Sequence, residues 1–304
     1  MATATNLPFE VVPLSAADRE ALPALHAMFS AFWSSPLAAA FPRVAYDAFI
    51  ALTPPPPGVR VHPSLDPAVP GWICEPDDAI DGQALLYIHG GAYSLGTAPA
   101  YRGFAAQIAA RTGLTTYIVE YPLAPEAALP VALDVASAAL DRLATRYTKV
   151  GVVGDSAGGG LTLATLAANS RAAAAVVFSP WADLTLRGAS MHERSSRELL
   201  LQEASLRESA RGYIGTADPR DPRASPLLGA PAYLPPLLIQ VGSEEILYDD
   251  AVRYAAHAHA AGHDVTLQEW TGMHHVFQLN VGELGAAREA LDRAAEFLRR
   301  HLGS

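Results

Sequence analysis

A chain of 304 residues, half of them hydrophobic, can bury a substantial core, and although this length allows two domains, large α/β folds often use it for one. The formal net charge of -10, with Lys149 the only lysine, argues against a nucleic-acid partner or an anionic membrane surface, both of which need concentrated Lys and Arg. Cys74 is the only cysteine, which excludes an internal disulfide and a cysteine-based metal cluster and fits a reducing compartment.

The opening residues, MATATNLPFEVVPLS, lack the basic start and continuous apolar stretch of a secretory signal, so a cytoplasmic location is expected. Leu22 to Phe41 is the most apolar early segment. His26, Ser30, Ser34, Ser35 and Pro36 interrupt it, which makes a poor membrane span and reads better as an amphipathic helix covering something. Beyond the Pro54 to Pro57 run, Val59 to His62 and Trp72 to Glu75 read as leading strands. Ala84 to Ile88, Thr115 to Glu120, Val150 to Val153, Ala174 to Phe178, Leu237 to Val241 and Val265 to Glu269 follow, most of them apolar on both faces as buried parallel strands are. Helices are expected between them at Tyr101 to Arg111, Pro130 to Arg146, Gly158 to Ala168 and Asp249 to Ala261, with an amphipathic one at Gly285 to Arg300. Strands alternating with helices predict a mostly parallel sheet covered on both faces. One stretch breaks the alternation. From Arg187 to about Ser225 the chain is rich in Arg and Glu, and an insertion there, between two sheet strands, is expected to fold with the N-terminal segment as a lid over the site.

The chemistry begins where the apolar strand from Val150 runs into Gly154-Asp155-Ser156-Ala157-Gly158 and then an Ala/Leu-rich helix. A serine on so sharp a strand-to-helix turn needs small residues two positions to either side, hence Gly154 and Gly158, and the Ala157 amide at the helix start can stabilise an oxyanion. A phosphate-cradling reading lacks both of its glycine patterns, Gly-x-x-x-x-Gly-Lys and Gly-x-Gly-x-x-Gly. Upstream, Leu85-Leu86-Tyr87-Ile88 runs into His89-Gly90-Gly91-Ala92-Tyr93, whose Gly90 and Gly91 amides are expected to supply the remaining oxyanion donors, with His89 as an anchor of the loop.

His89-Gly90-Gly91 together with Gly154-Asp155-Ser156-Ala157-Gly158 resembles the hormone-sensitive-lipase family of esterases, bacterial family IV, of the α/β-hydrolase superfamily. Glu120-Tyr121-Pro122-Leu123-Ala124-Pro125-Glu126, Ser179-Pro180-Trp181-Ala182-Asp183-Leu184 and Asp221-Pro222-Arg223-Ala224-Ser225-Pro226 extend the likeness over nearly the whole chain after residue 70. The resemblance implies an α/β-hydrolase fold with an eight-stranded sheet, and a cap from about residues 1–45 plus the insertion at about 187–225. It also implies no cofactor, no metal and hydrolysis of small carboxylic esters, acetyl esters or monoterpene lactones among them. Homodimers through the last edge strand would involve Val265 to Glu269 and Gly285 to Arg300.

In such a fold an acid and a histidine follow the serine on loops beyond later strands. Gly242-Ser243-Glu244-Glu245-Ile246-Leu247-Tyr248-Asp249 resembles the family's Gly-x-x-Asp-x-Leu-x-Asp and puts Glu245 in the acid's place, a departure from aspartate. Glu244 as the acid remains an alternative, and Asp249 reads as a helix cap. Gly272-Met273-His274-His275-Val276-Phe277 resembles Gly-Met-x-His-x-Phe, so His275 matches the base. His274 invites a metal reading but lacks companions, since His257 and His259 do not share a helix face. Tyr93, Trp33, Trp181 and Val276 are the candidate substrate contacts. An amidase on the same scaffold, or a receptor that only binds a small molecule, are the alternatives.

Overall fold

A computed structural model describes residues 7–303, so Met1 to Asn6 of the expected cap lie outside the described residues. Among the described residues nine strands form one sheet: β1 (Phe9–Val12), β2 (Val59–Pro63), β3 (Gly71–Pro76), β4 (Gln83–Ile88), β5 (Thr115–Val119), β6 (Lys149–Asp155), β7 (Ala172–Phe178), β8 (Leu237–Gly242) and β9 (Val265–Trp270). Their order across the sheet is β1-β9-β8-β7-β6-β4-β5-β3-β2. The β2 to β3 and β3 to β5 pairings are antiparallel and the rest are parallel.

The count corrects the expected eight. The additional strand is β1, four residues between Pro8 and Pro13, with Phe9 opposite Leu267 and Val12 opposite Trp270. It has a second consequence. Strand β9, which the resemblance offered as a dimer edge, is paired on both sides, so its backbone is already spent on β8 and β1.

Alternation along the strands splits the core in two. From β4, Leu86 and Ile88 join Leu140 of α5 (Val131–Arg146), Leu161 and Leu163 of α6 (Ser156–Ala168) and Tyr254 of α9 (Tyr248–Ala260) on one face. Leu85 and Tyr87 join Phe104 of α4 (Arg102–Thr112) and Leu291 and Leu298 of α10 (Gly285–Leu302) on the other.

The segment expected to be one amphipathic helix is two, α1 (Ala16–Trp33) and α2 (Pro36–Ala40), followed by α3 (Pro42–Ile50). The break falls where Ser35 accepts from the Ala38 amide and Pro36 can only begin a helix. Leu25 and Phe29 of α1 and Phe49 and Ile50 of α3 pack on the α4 and α10 side. The base of α1 is fastened to α10, because Asp18 accepts from the Gly285 amide at 2.6 Å and the Ala286 amide at 3.1 Å. The insertion carries α7 (Ser190–Glu193) and α8 (Glu203–Ile214). No described helix is long and apolar enough to cross a membrane.

Candidate active site

Ser156 opens α6 directly after β6 with φ of 52°, a left-handed conformation rare for a residue with a side chain. The turn has no room to spare. A Cβ on Gly158 would lie 2.2 Å from the Ile88 carbonyl oxygen, and one on Gly154 would lie 2.5 Å from that of Gly158, so the two glycines are needed for close approach.

Three loops at the carboxyl ends of their strands meet here. His275 Nε2 lies 2.9 Å from Ser156 Oγ, and His275 Nδ1 lies 2.8 Å from Glu245 Oε2. A carboxylate there can only accept, so Nδ1 carries the proton and Nε2 is left as the acceptor for the serine hydroxyl. All three residues are buried. Burial pulls the His275 pKa down, but its hydrogen bond to Glu245 and the charges of Glu245, Glu198 and Asp155 outweigh it, and the net direction is up. Glu244 turns the other way. Its carboxylate takes the Ser243 hydroxyl at 2.6 Å and pairs with Arg197 at 3.2 Å. Asp249 accepts from the Ser190 amide rather than capping its own helix.

The glycine turn after β4 is held by Asp155. This carboxylate receives the Tyr87 hydroxyl, the Gly90 amide at 2.9 Å and the Tyr101 hydroxyl at 3.1 Å. Burial nevertheless raises its pKa to about 6, against the lowering pull of those donors and of His275. The Gly90 amide, expected to serve an oxyanion, is therefore committed to Asp155, whereas Gly91 lines the open space in front of Ser156. His89 anchors the turn. It stacks on Tyr121 with ring centres 4.3 Å apart, and burial lowers its pKa to about 4.

That open space is a cavity of about 390 Å³, with Ser156, His275 and Val276 at its floor. Trp33, Phe49 and Ile50 wall one side, and Leu199, Leu200 and Leu206 of the insertion contribute another. Of the four expected substrate contacts, Trp33 and Val276 line it. Tyr93 and Trp181 do not. Both are fully buried, Tyr93 stacks on Tyr213 at 3.8 Å with Trp181 beside it, and their role is core packing because they point away from the opening. His274 likewise leaves the site, bonding Asn280 at 3.0 Å and packing edge-on against Phe29.

Two residues to which the sequence reading gave no role belong to the site. Ser179 Oγ donates to Glu245 Oε1 at 2.7 Å and accepts from the Val276 amide at 3.1 Å, so one hydroxyl joins Glu245 to the backbone beside His275. The Gly242 amide is the other anchor of that Glu245 oxygen, at 2.6 Å. Glu198 lines the cavity from the insertion, the Arg- and Glu-rich stretch expected to fold over the site. Only the quoted Ser-Pro-Trp stretch signalled Ser179, and it carried no role.

Comparison with known proteins gives concordant results. The pattern of the α/β-hydrolase fold family matches residues 85–279, which include Ser156, Glu245 and His275. An acetyl-hydrolase of Streptomyces hygroscopicus is 43% identical over 231 residues, covering 73% of this chain and 77% of that protein. An esterase of Acinetobacter venetianus is 33% identical over 264 residues, covering 84% and 87%. The crystal structure of an esterase from the bacterial hormone-sensitive lipase family superposes with a TM-score of 0.88 at 32% identity, covering 93% of this chain and 99% of that one.

Proposed function

Since the chain belongs to the α/β-hydrolase family, as a serine carboxylesterase of its hormone-sensitive-lipase branch, we propose that Ser156, His275 and Glu245 are its catalytic triad. The observation that carries this is the unbroken row from Ser156 Oγ through His275 to Glu245, at 2.9 and 2.8 Å, opening onto an apolar cavity. Neutral His275 takes the serine proton as Oγ attacks the ester carbonyl, and Glu245 balances the imidazolium that forms. The developing oxyanion is held by the amides of Gly91 and Ala157, with Gly90 in support through its bond to Asp155. The protonated imidazole then delivers its proton to the departing alcohol. Water activated by the same nitrogen releases the acid from the acyl-serine.

Helices α1 to α3 and the insertion form the cap in this reading, since both supply the cavity's walls. A space of about 390 Å³ lined by Trp33, Phe49, Ile50, Leu200 and Leu206 suits short- to medium-chain acyl esters and lactones. A cytoplasmic location rests on one buried cysteine, Cys74, which forms no disulfide. Ser156→Ala is expected to lose hydrolysis of a nitrophenyl ester series and labelling by a fluorophosphonate. Retained labelling would place the nucleophile elsewhere, and peak activity on long chains would refute the reading of the cavity.

A further inference from the structure

The cavity in front of Ser156 has an uneven charge. Two carboxylates line it, those of Asp155 and Glu198, and among the described residues no Lys or Arg does. The nearest cations on the insertion are engaged elsewhere: Arg197 pairs with Glu244, and Arg194 bonds the Ser243 carbonyl and lies 3.5 Å over the Tyr248 ring. Glu198 has no ion-pair partner among the described residues. Its donors are neutral backbone amides, those of Leu200 at 2.9 Å and Leu201 at 3.2 Å on one oxygen and that of Ile246 at 3.1 Å on the other. These bonds hold the carboxylate in place, fixed between the insertion and the loop that bears Glu245, and bring no opposite charge to it. Asp155 is almost fully buried whereas Glu198 is only half-buried, so Glu198 is the accessible part of this negative wall.

We infer that Glu198 is a specificity-determining residue that restricts this esterase to neutral or cationic esters and turns away esters carrying a carboxylate on their acyl or alcohol part. The physical basis is the narrowness of the site. In a half-closed apolar cavity a second anion is held within several ångströms of Glu198 with little water between, where like charges at an effective dielectric of about 20 cost roughly tenfold or more in binding. Nothing on the wall repays that cost. Electrostatic selection of this kind works by refusing the wrong substrate rather than by gripping the right one.

The inference rests on the esterase reading, and its test separates the two. Two matched pairs would be compared by kcat/KM: 4-nitrophenyl hexanoate against 4-nitrophenyl hydrogen adipate, with the charge on the acyl side, and 4-(methoxycarbonyl)phenyl butyrate against 4-carboxyphenyl butyrate, with the charge on the alcohol side. Each ratio is divided by the ratio of uncatalysed rates. The wild-type enzyme is expected to prefer the neutral member of at least one pair by roughly tenfold or more, and Glu198→Gln to shrink that preference at least about threefold, whatever it does to the neutral ester itself. Equal rates within both pairs, or a preference unchanged in Glu198→Gln, would overturn the inference while leaving the esterase intact. Failure to hydrolyse any ester would overturn the esterase reading and this inference with it. If Glu198→Gln does not fold, Glu198→Ala takes its place in the same comparison, and a preference that it leaves unchanged refutes a charge-based origin.

Discussion

Removing the Ser179 hydroxyl tests whether the Glu245 loop must be held in place for His275 to act as the proposed base. Its Oγ makes two buried bonds, to Glu245 at 2.7 Å and from the Val276 amide at 3.1 Å, and Ser179→Ala loses both. The bond to a carboxylate is worth about 1.5 to 3 kcal/mol, and the Val276 amide is left without a partner at a cost of about 1 to 3 kcal/mol. The two losses share one site and overlap, so a total of roughly 2 to 4 kcal/mol is expected. At about 2 °C per kcal/mol for a chain of this size, melting should fall by roughly 4 to 8 °C. Glu245 keeps the Gly242 amide at 2.6 Å but can now rotate about it, and kcat should drop about tenfold, equivalent to about 1.4 kcal/mol of barrier. Because Ser179 does not line the cavity, KM should hold. Stopped assays with 4-nitrophenyl butyrate and a thermal melt check both. A change confined to KM, or kcat and melting temperature equal to wild type, would refute the account of Ser179 as the link between acid and base.

Glu245→Gln removes the hydrogen bond and charge that raise the His275 pKa, so kcat should fall by roughly 10²- to 10⁴-fold and the acid limb of the residual kcat/KM profile should move to lower pH, since the base then protonates only in stronger acid. A limb that stays in place would separate Glu245 from the titrating histidine. Burial raises the Asp250 pKa from 3.8 to about 8, against the lowering bonds from the Asp183 and Ala182 amides. The folded chain therefore binds more protons than the unfolded one between those values, and stability should decline as pH rises through that window. Asp250→Asn keeps an acceptor for both amides and should flatten the melting temperature between pH 5 and 8. Parallel curves for variant and wild type would refute the assignment.

What could be read from the sequence was what a local pattern dictates. Gly154 and Gly158 flank Ser156 because the turn closes on carbonyl oxygens, and that packing constraint is written in residue size alone. Motif order likewise led to Glu245 and His275. Direction was not legible. The stretch His89 to Tyr93 located a turn but not where its amides aim, and Asp155 had claimed the one on Gly90. Tyr93 and Trp181 stand beside the motifs in sequence, yet their rings enter the core, a fact fixed by Tyr213 on α8 some 120 and 32 residues downstream. Strand β1 is four residues between prolines, too short for alternation to show, and it exists because β9 offers it an edge. Glu198 sits among charges that resemble an exposed helix, and only the folding of the insertion over the loop at Ile246 turns it inward.

The fastening of the N-terminal segment has a consequence for protein engineering. Strand β1 completes the sheet at β9, and Asp18 at the start of α1 occupies the first amides of α10. The helices above the site therefore cannot be exchanged between related esterases as a detachable part. A graft that begins after β1 would join foreign helices to a native edge, and one that includes it must also match the side chains of β9 and the first turn of α10. A transplant of the 187–225 insertion meets the same demand at another place, since Arg194, Arg197 and Glu198 bind Ser243, Glu244 and Ile246 and a graft must match that loop as well.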